Sequence, residues 1–461
     1  MDGGRRVMWA VALLAAAVRL PGVYTQAFWQ DEVASARTLN EPTFPRLLAH
    51  VARTESTPPL WYTLGWLLRH AGAPMQDVRL LSVAAGAVLA ALVVDFARRV
   101  VPLPFAAFAG LLTAFGSQLV SHGRELRAYE LLALCSVVFA RLVLAEVEAP
   151  SRVRELGLAG AVAAGGLTHY FFVFSVFAVL VWLWLEPGTR TVRRRATAAI
   201  LVGGGLAASW APVMLEQYGR HRFWWIGTFA LRPVVAVPAR LFTGAYANTT
   251  NGVVLSVIGL LLAVLGCCYL SRASARGRLV AVLALAPLAE AAGLWAAGVR
   301  IFALRNLIEI APFVAVATAG ALAAVPRRVA PATVAVAAAL LVLPVASIAG
   351  RGVPRYDQLA RALVAEGWTP SQPVAVFGNF FSYRAPLEWY LPHRPLLDAS
   401  RPLAGVCRTV FVIRGDDVAR LRLDRPLKAD RQLRGATILA DPARALRCAR
   451  PITNGRLAAL A

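Results

Sequence analysis

"PPLWYTLGWLLRHAG", residues 58–72, decides the topology of the chain. It is apolar enough to be taken for a membrane span. It nevertheless offers only about a dozen apolar residues where a transmembrane helix needs about 20, and it opens on two prolines. Read instead as an interfacial helix, it places Trp61, Tyr62 and Trp66 at headgroup level. Counting it as a span would move every later loop to the opposite side of the bilayer.

Eleven other segments are long and apolar enough to cross: about 7–23, 79–97, 104–120, 129–146, 155–169, 171–186, 197–214, 252–270, 279–298, 305–324 and 329–349. With the N-terminus inside, the inner loops carry Arg5–Arg6, Arg98–Arg99, Arg152 and Arg154, Arg190 with Arg193–Arg195, Arg272, Arg276 and Arg278, and Arg327–Arg328. Each holds at least two arginines, as the positive-inside rule requires. A twelfth span at 58–72 would scatter those clusters over both faces. The two short spans around "THYFF" form a hairpin with His169 and Tyr170 at its tip. The first apolar run, "VMWAVALLAAAVRLPGVY", lacks a small-residue cleavage site and reads as a retained helix.

Composition agrees. The chain has 461 residues, of which 58% are hydrophobic and 16% charged, against about 25% charged in soluble domains. The net charge of +23 comes from 48 Lys+Arg, almost all Arg, lying between apolar runs rather than along one basic face. Without aromatic nucleic-acid motifs or zinc spacings, this pattern excludes a nucleic-acid partner and marks topology-setting loops of a bacterial inner-membrane protein. Cys135, Cys267 and Cys268 fall in apolar runs and pack as small hydrophobes. Cys407 and Cys448 can pair if the C-terminal region faces an oxidising compartment.

The expected fold is therefore an all-α polytopic membrane domain over 1–350, with outer loops at 24–78 and 215–251. Residues 351–461 form a small α/β extracytoplasmic domain, where "QPVAVFGNFFSYRAPLEWYLP" reads as a strand followed by a helix.

Sorting polar residues by side brings the informative ones to the outer surface. Asp31 and Glu32 lie in "QAFWQDEVAS", Arg124, Arg127 and Tyr129 in "SHGRELRAYELL", His169 at the hairpin tip, and Arg300 and Arg305 in "GVRIFALRN". Acids at that depth are costly unless solvated, paired or working. An acidic pair facing several arginines suits a lipid-phosphate substrate. Sugar transfer from such a donor needs a base for the acceptor hydroxyl and cations for the phosphate, whose charge grows as the glycosyl bond breaks. The guanidinium fork fits phosphate oxygens in pairs. So good a leaving group needs no general acid, and direct displacement inverts the anomeric centre.

Each element also has a plainer structural reading. Asp31 and Glu32 can be a helix N-terminal pair, Arg124 and Arg127 can snorkel to headgroups, and His169 can be a hydrogen-bonded turn residue. Arg300 and Arg305 can be flanking anchors. Arg19 reads as a packing or snorkelling residue, and Glu290, placed mid-span, has no assigned partner.

These stretches resemble membrane glycosyltransferases of GT-C fold, in the branch of the protein O-mannosyltransferases and bacterial aminoarabinose transferases (glycosyltransferase family 39-like). "RLPGVYTQAFWQDEVAS" is similar to the end of that fold's first helix and its first outer loop, and "STPPLWYTL" to the "HPPLYY" element. "SHGRELRAYELL" is similar to the second-loop Arg motif, "THYFFVF" to the hairpin motif, and "ALRNLIEIAPFVAVATAGAL" to the "RYLLPALP" helix. The resemblance runs in order over about 350 residues.

It implies a polyprenyl-phosphate sugar donor and a lipid, glycan or protein acceptor presented at the outer face. Asp31 would be the base, with Glu32 assisting. Arg124, Arg127, Tyr129 and His169, with Arg300 or Arg305, would bind the donor phosphate. The chain departs from the pattern at Thr57, where His or Lys is usual, at Tyr129, near which several members carry an acid, and at Asn306, where Tyr is usual. The missing acid favours metal-independent transfer and no cofactor. A transporter or flippase for a lipid-linked or anionic solute is the alternative, but such proteins place polar groups near the midplane, often in inverted repeats.

Overall fold

The computed structural model describes residues 3–326 except 187, 221, 222, 224 and 245–249, and beyond them 336–342 without 338, 356–365, 374–376, 380–391, 396–398, 410–413, 428–433 and 436–440. Most of the span expected at 329–349, and both Cys407 and Cys448, lie outside the described residues. Cys135, Cys267 and Cys268 are free thiols.

The chain divides into two compact units, one of residues 1–24 with 38–350, the other of 25–37 with 351–461. The first is helical. Its helices are α1 (Gly3–Thr25), α2 (Gln30–Leu39, which crosses the unit boundary), α3 (Phe44–Thr54), α4 (Leu60–His70), α5 (Leu80–Ala97), α6 (Leu103–Phe115), α7 (Ser117–His122) and α8 (Tyr129–Glu148). There follow α9 (Arg152–Thr168), α10 (Phe172–Leu185), α11 (Arg190–Ala208), α12 (Ala211–Gly219), α13 (Leu231–Thr243), α14 (Thr250–Ala273), α15 (Ala275–Ala296) and α16 (Ala311–Ala323). Short 3-10 turns, Met75–Arg79 and Leu304–Ile310, lead into α5 and α16.

Among the described residues, five helical segments are long and apolar enough to cross a membrane, six if the 55° bent pair α11–α12 is one span. This is a polytopic helical membrane protein. The helices start where local chemistry dictates. Ser151, Thr189 and Ser274 accept the backbone N–H three residues on, at the starts of α9, α11 and α15. All three lie in the arginine-bearing loops.

Burial separates lipid-facing from central helices. Only 28% of the spanning window is buried in α1 and in α14, against 89% in the Leu304–Ala323 segment, so α16 is the hub. Small residues let backbones approach: a Cβ on Gly266 of α14 would strike the Ala317 carbonyl of α16, and one on Gly203 of α11 the Ala159 carbonyl of α9.

At 11 residues α4 spans only about 16 Å, too little for the bilayer core. Its aromatic face corrects the headgroup reading. Trp61 and Tyr62 are 1% exposed, and Trp66 donates Nε1–H to the Glu41 carbonyl at 2.7 Å. The helix turns its rings into protein because polar partners wait there for Tyr62.

The fully buried Arg19 of α1 pairs with Glu130 of α8 at 3.0 Å and donates to the Ala15 and Ala114 carbonyls. It is a packing residue, not a snorkelling one. Glu309 Oε2 accepts from Ser175 of α10 at 2.8 Å.

In the second unit, β1 (Val374–Val376), β2 (Leu396–Asp398), β3 (Val410–Ile413), β4 (Lys428–Leu433) and β5 (Ala436–Ala440) form one mixed sheet in the order β2-β1-β3-β5-β4. β1 runs parallel to β2 and β3, and β5 antiparallel to β3 and β4. The helix Phe380–Tyr390 joins residues 25–37 to this unit. The Phe28 N–H donates to Tyr390 Oη at 2.9 Å, the Phe28 and Trp389 rings meet edge to face at 5.9 Å, and Arg37 pairs with Glu388 at 3.1 Å.

Candidate active site

In the membrane unit, three of the residues expected outside, Tyr129, His169 and Arg305, gather around Arg127. The loop that carries it is fixed by Ser82 Oγ, which donates to the Glu125 carbonyl at 2.8 Å, and by His122 Nδ1 against Glu125 Oε2 at 2.9 Å. Arg127 Nη1 donates to Glu55 Oε2 at 3.1 Å and to Tyr62 Oη at 3.2 Å. Its guanidinium carbon sits 5.9 Å from the Tyr129 ring centre. Tyr129, 3% exposed, is layered between His122 at 4.5 Å and His169 at 5.7 Å.

His169 occupies the three-residue turn between α9 and α10, outside both helices. Burial, then the nearby Arg127 and Arg305 guanidiniums, lowers its pKa to about 3. It is therefore neutral at physiological pH. Its Nδ1 accepts the Phe171 N–H at 3.2 Å, which leaves the ring proton on Nε2. His169 is thus a hydrogen-bond donor and not a third cation. Arg305, in the 3-10 turn before α16, lies over the Trp225 ring at 5.0 Å. Asn306 donates to the Ile301 carbonyl at 3.2 Å, holding the turn that presents it.

Of the eight expected residues, Arg127, Tyr129, His169 and Arg305 come together. Arg124, on the same loop as Arg127, lies across the small face of α1 at Gly22, where a Cβ would overlap its side chain. Arg300 is exposed on the linker after α15. Asp31 and Glu32 occupy the first turn of α2, where carboxylates suit the helix dipole. Glu32, 1% exposed, reaches back to the Trp29 N–H at 3.4 Å, half of a capping box. Asp31 is half-buried beside it.

Glu55 and Tyr62 were missed in the sequence. Glu55 Oε2 accepts from Tyr62 Oη at 2.6 Å, and its Oε1 from Thr38 Oγ1 at 3.3 Å; Thr57 Oγ1 lies 3.2 Å from Tyr62 Oη. Burial, reinforced by Glu55, raises the Tyr62 pKa well above the phenol range, so it stays a donor. Among the described residues no three His, Cys, Asp or Glu side chains group as metal ligands.

This architecture is the GT-C fold found in membrane glycosyltransferases. Residues 56–215 match the family described as dolichyl-phosphate-mannose-protein mannosyltransferase. Among solved structures, ArnT from Cupriavidus metallidurans in the apo state is similar at a TM-score of 0.55 and 13% identity, over 94% of this chain and 97% of that one. The same protein bound to undecaprenyl phosphate gives 0.53 and 12%, over 95% and 98%. The Archaeoglobus fulgidus oligosaccharyltransferase, in a complex with Zn and sulfate, gives 0.54 and 15%, over 85% of this chain and 62% of that one. No match is found among curated protein sequences.

Proposed function

We propose that the protein is an inverting glycosyltransferase that moves a sugar from a polyprenyl phosphate to an acceptor hydroxyl at the outer face of a bacterial inner membrane. The observation that supports this most is the cluster of the buried Arg127, the partly buried Arg305 and a neutral His169, two cations with one hydrogen-bond donor. That set suits a phosphate whose charge grows as its glycosyl bond breaks. The eleven-span topology and an extracytoplasmic C-terminal domain belong to the same reading, since they put the cluster outside.

In the reaction, the acceptor oxygen attacks the anomeric carbon as the bond from that carbon to the phosphate oxygen breaks. The polyprenyl phosphate leaves, and Asp31 takes the hydroxyl proton. Glu32, occupied by the Trp29 N–H, keeps the first turn of α2 in shape. Arg127, Arg305 and Arg124 hold the phosphate, with His169 Nε2–H donating. Arg300 is the lesser choice because it lies exposed. The arginines supply the positive charge, so transfer is metal-independent. The sugar is a hexose or a pentose.

The test uses purified protein in nanodiscs with radiolabelled polyprenyl-phosphate sugars, comparing wild type with Asp31→Asn. Donor binding is expected in both, with transfer or hydrolysis reduced about 10²–10⁴-fold in the variant. A variant that turns over at the wild-type rate removes Asp31 from the chemistry. Absence of donor binding to wild type sinks the transferase reading and leaves the transporter as the one to test.

A further inference from the structure

We propose that Glu55 is the positioning residue of the phosphate site, a buried carboxylate that aims Arg127. This rests on the reading of Arg127 as a phosphate ligand.

Glu55 is 3% exposed and follows α3, whose last turn it closes through its own N–H to the Val51 carbonyl. Its two oxygens are held by different elements. Thr38, near the end of α2, donates to Oε1, while Tyr62 of α4 donates to Oε2 at 2.6 Å. Those two hydroxyls orient the carboxylate before Arg127 is considered. Arg127 then meets an anion already in place, 3.1 Å from Nη1, with Tyr62 Oη at 3.2 Å from the same nitrogen. The guanidinium is pinned at one corner while its carbon stays 5.9 Å from the Tyr129 ring centre, beside His169.

A long side chain held this way loses its rotamer freedom before the ligand arrives. Binding then does not have to order it. A second role for the same contact has the opposite sign. If Glu55 merely competed with the donor phosphate for Arg127, removing its charge would tighten binding.

The experiment measures affinity for undecaprenyl phosphate in nanodiscs of neutral lipid, for Glu55→Gln, Arg127→Gln and the double variant. Glu55→Gln keeps the size of the side chain and removes its charge. With Arg127 no longer held in place, Glu55→Gln is expected to weaken binding about tenfold or more in the wild-type background. In the Arg127→Gln background the same change should cost less than about twofold, because the residue acts through Arg127.

Tighter or unchanged binding by Glu55→Gln overturns the proposal, and so does an equal loss in both backgrounds, which would indicate general disruption. If Glu55→Gln does not fold, Tyr62→Phe carries the same cycle, with an expected loss of about threefold only where Arg127 is present. Wild type that fails to bind undecaprenyl phosphate overturns the phosphate reading and this proposal together. Wild type that binds while Glu55→Gln is indifferent overturns this proposal alone.

Discussion

Gly22→Ala separates the proposed phosphate site from the stability of the fold. Gly22 lies in the last turn of α1, in helical conformation, so Ala on its own would favour the helix by up to about 1 kcal/mol. The added Cβ, however, would overlap Arg124 Cδ and stand 3.0 Å from Nε and 3.1 Å from Nη1. Arg124 can give way, but its guanidinium must move by about 1 Å, a displacement that can cost a reaction up to about a hundredfold. We expect Gly22→Ala to keep or slightly raise the apparent Tm in nanodiscs while sugar transfer falls about 10- to 100-fold. In an Arg124→Ala background the same change should have little effect on transfer. A Gly22→Ala protein that is folded and transfers at the wild-type rate refutes the assignment of Arg124. Gly86 of α5 provides the contrast: a Cβ there would stand 2.6 Å from Arg19 Nε and 3.1 Å from Cζ, in a side chain with no room to move. Gly86→Ala should therefore lower stability by about 1–3 kcal/mol.

Three further outcomes follow from the same contacts. Arg19→Ala leaves Glu130 buried without its ion-pair partner among α1, α6 and α8, and should cost about 3–5 kcal/mol, read as a fall in apparent Tm; Arg19→Met with Glu130→Leu should recover much of the loss. His169 is held neutral down to about pH 3, whereas an unfolded chain protonates it below about 6.5. The unfolded state therefore binds the extra proton, and stability falls as pH drops through that window. His169→Gln should flatten the pH dependence of Tm between pH 6.5 and 5, and a slope unchanged from wild type would contradict the neutral assignment. Tyr390→Phe removes the acceptor of the Phe28 N–H, about 1 kcal/mol, and should show as faster hydrogen exchange at that amide.

The helical scaffold was legible because its signals are local and additive. Apolar runs need no knowledge of packing, and the length of 58–72 alone argues against a span. Arg127 and His169 were visible for a similar reason, as charged or titratable residues at the ends of apolar runs. What escaped the sequence depends on contacts between distant segments. Tyr62 on an aromatic α4 suits a headgroup until the helix is seen to turn that face towards Glu55 and Arg127, 65 residues further on. Arg19 finds Glu130 across 111 residues. The neutrality of His169 follows from its burial and from two guanidiniums, neither of which its position in "THYFF" reveals. The hydrogen bond from the Phe28 N–H to Tyr390 Oη likewise joins residues far apart in the chain.

The loop after the first helix shows why a carboxylate near a membrane surface cannot be assigned from its position alone. It carries Asp31, Glu32 and Glu55 within 25 residues, and their surroundings give them different work. Glu32 is buried and accepts the Trp29 N–H, a contact that shapes the start of its helix. Glu55 is held by two hydroxyls and a guanidinium, and it is buried, so an incoming acceptor does not reach it. Asp31 shares a turn with Glu32 but is half-exposed, and a base that must meet an incoming hydroxyl has to be reachable. Reach is therefore what the proposed mechanism weighs in giving Asp31 the proton, and the ion pair with Arg127 is what it weighs in giving Glu55 the arginine.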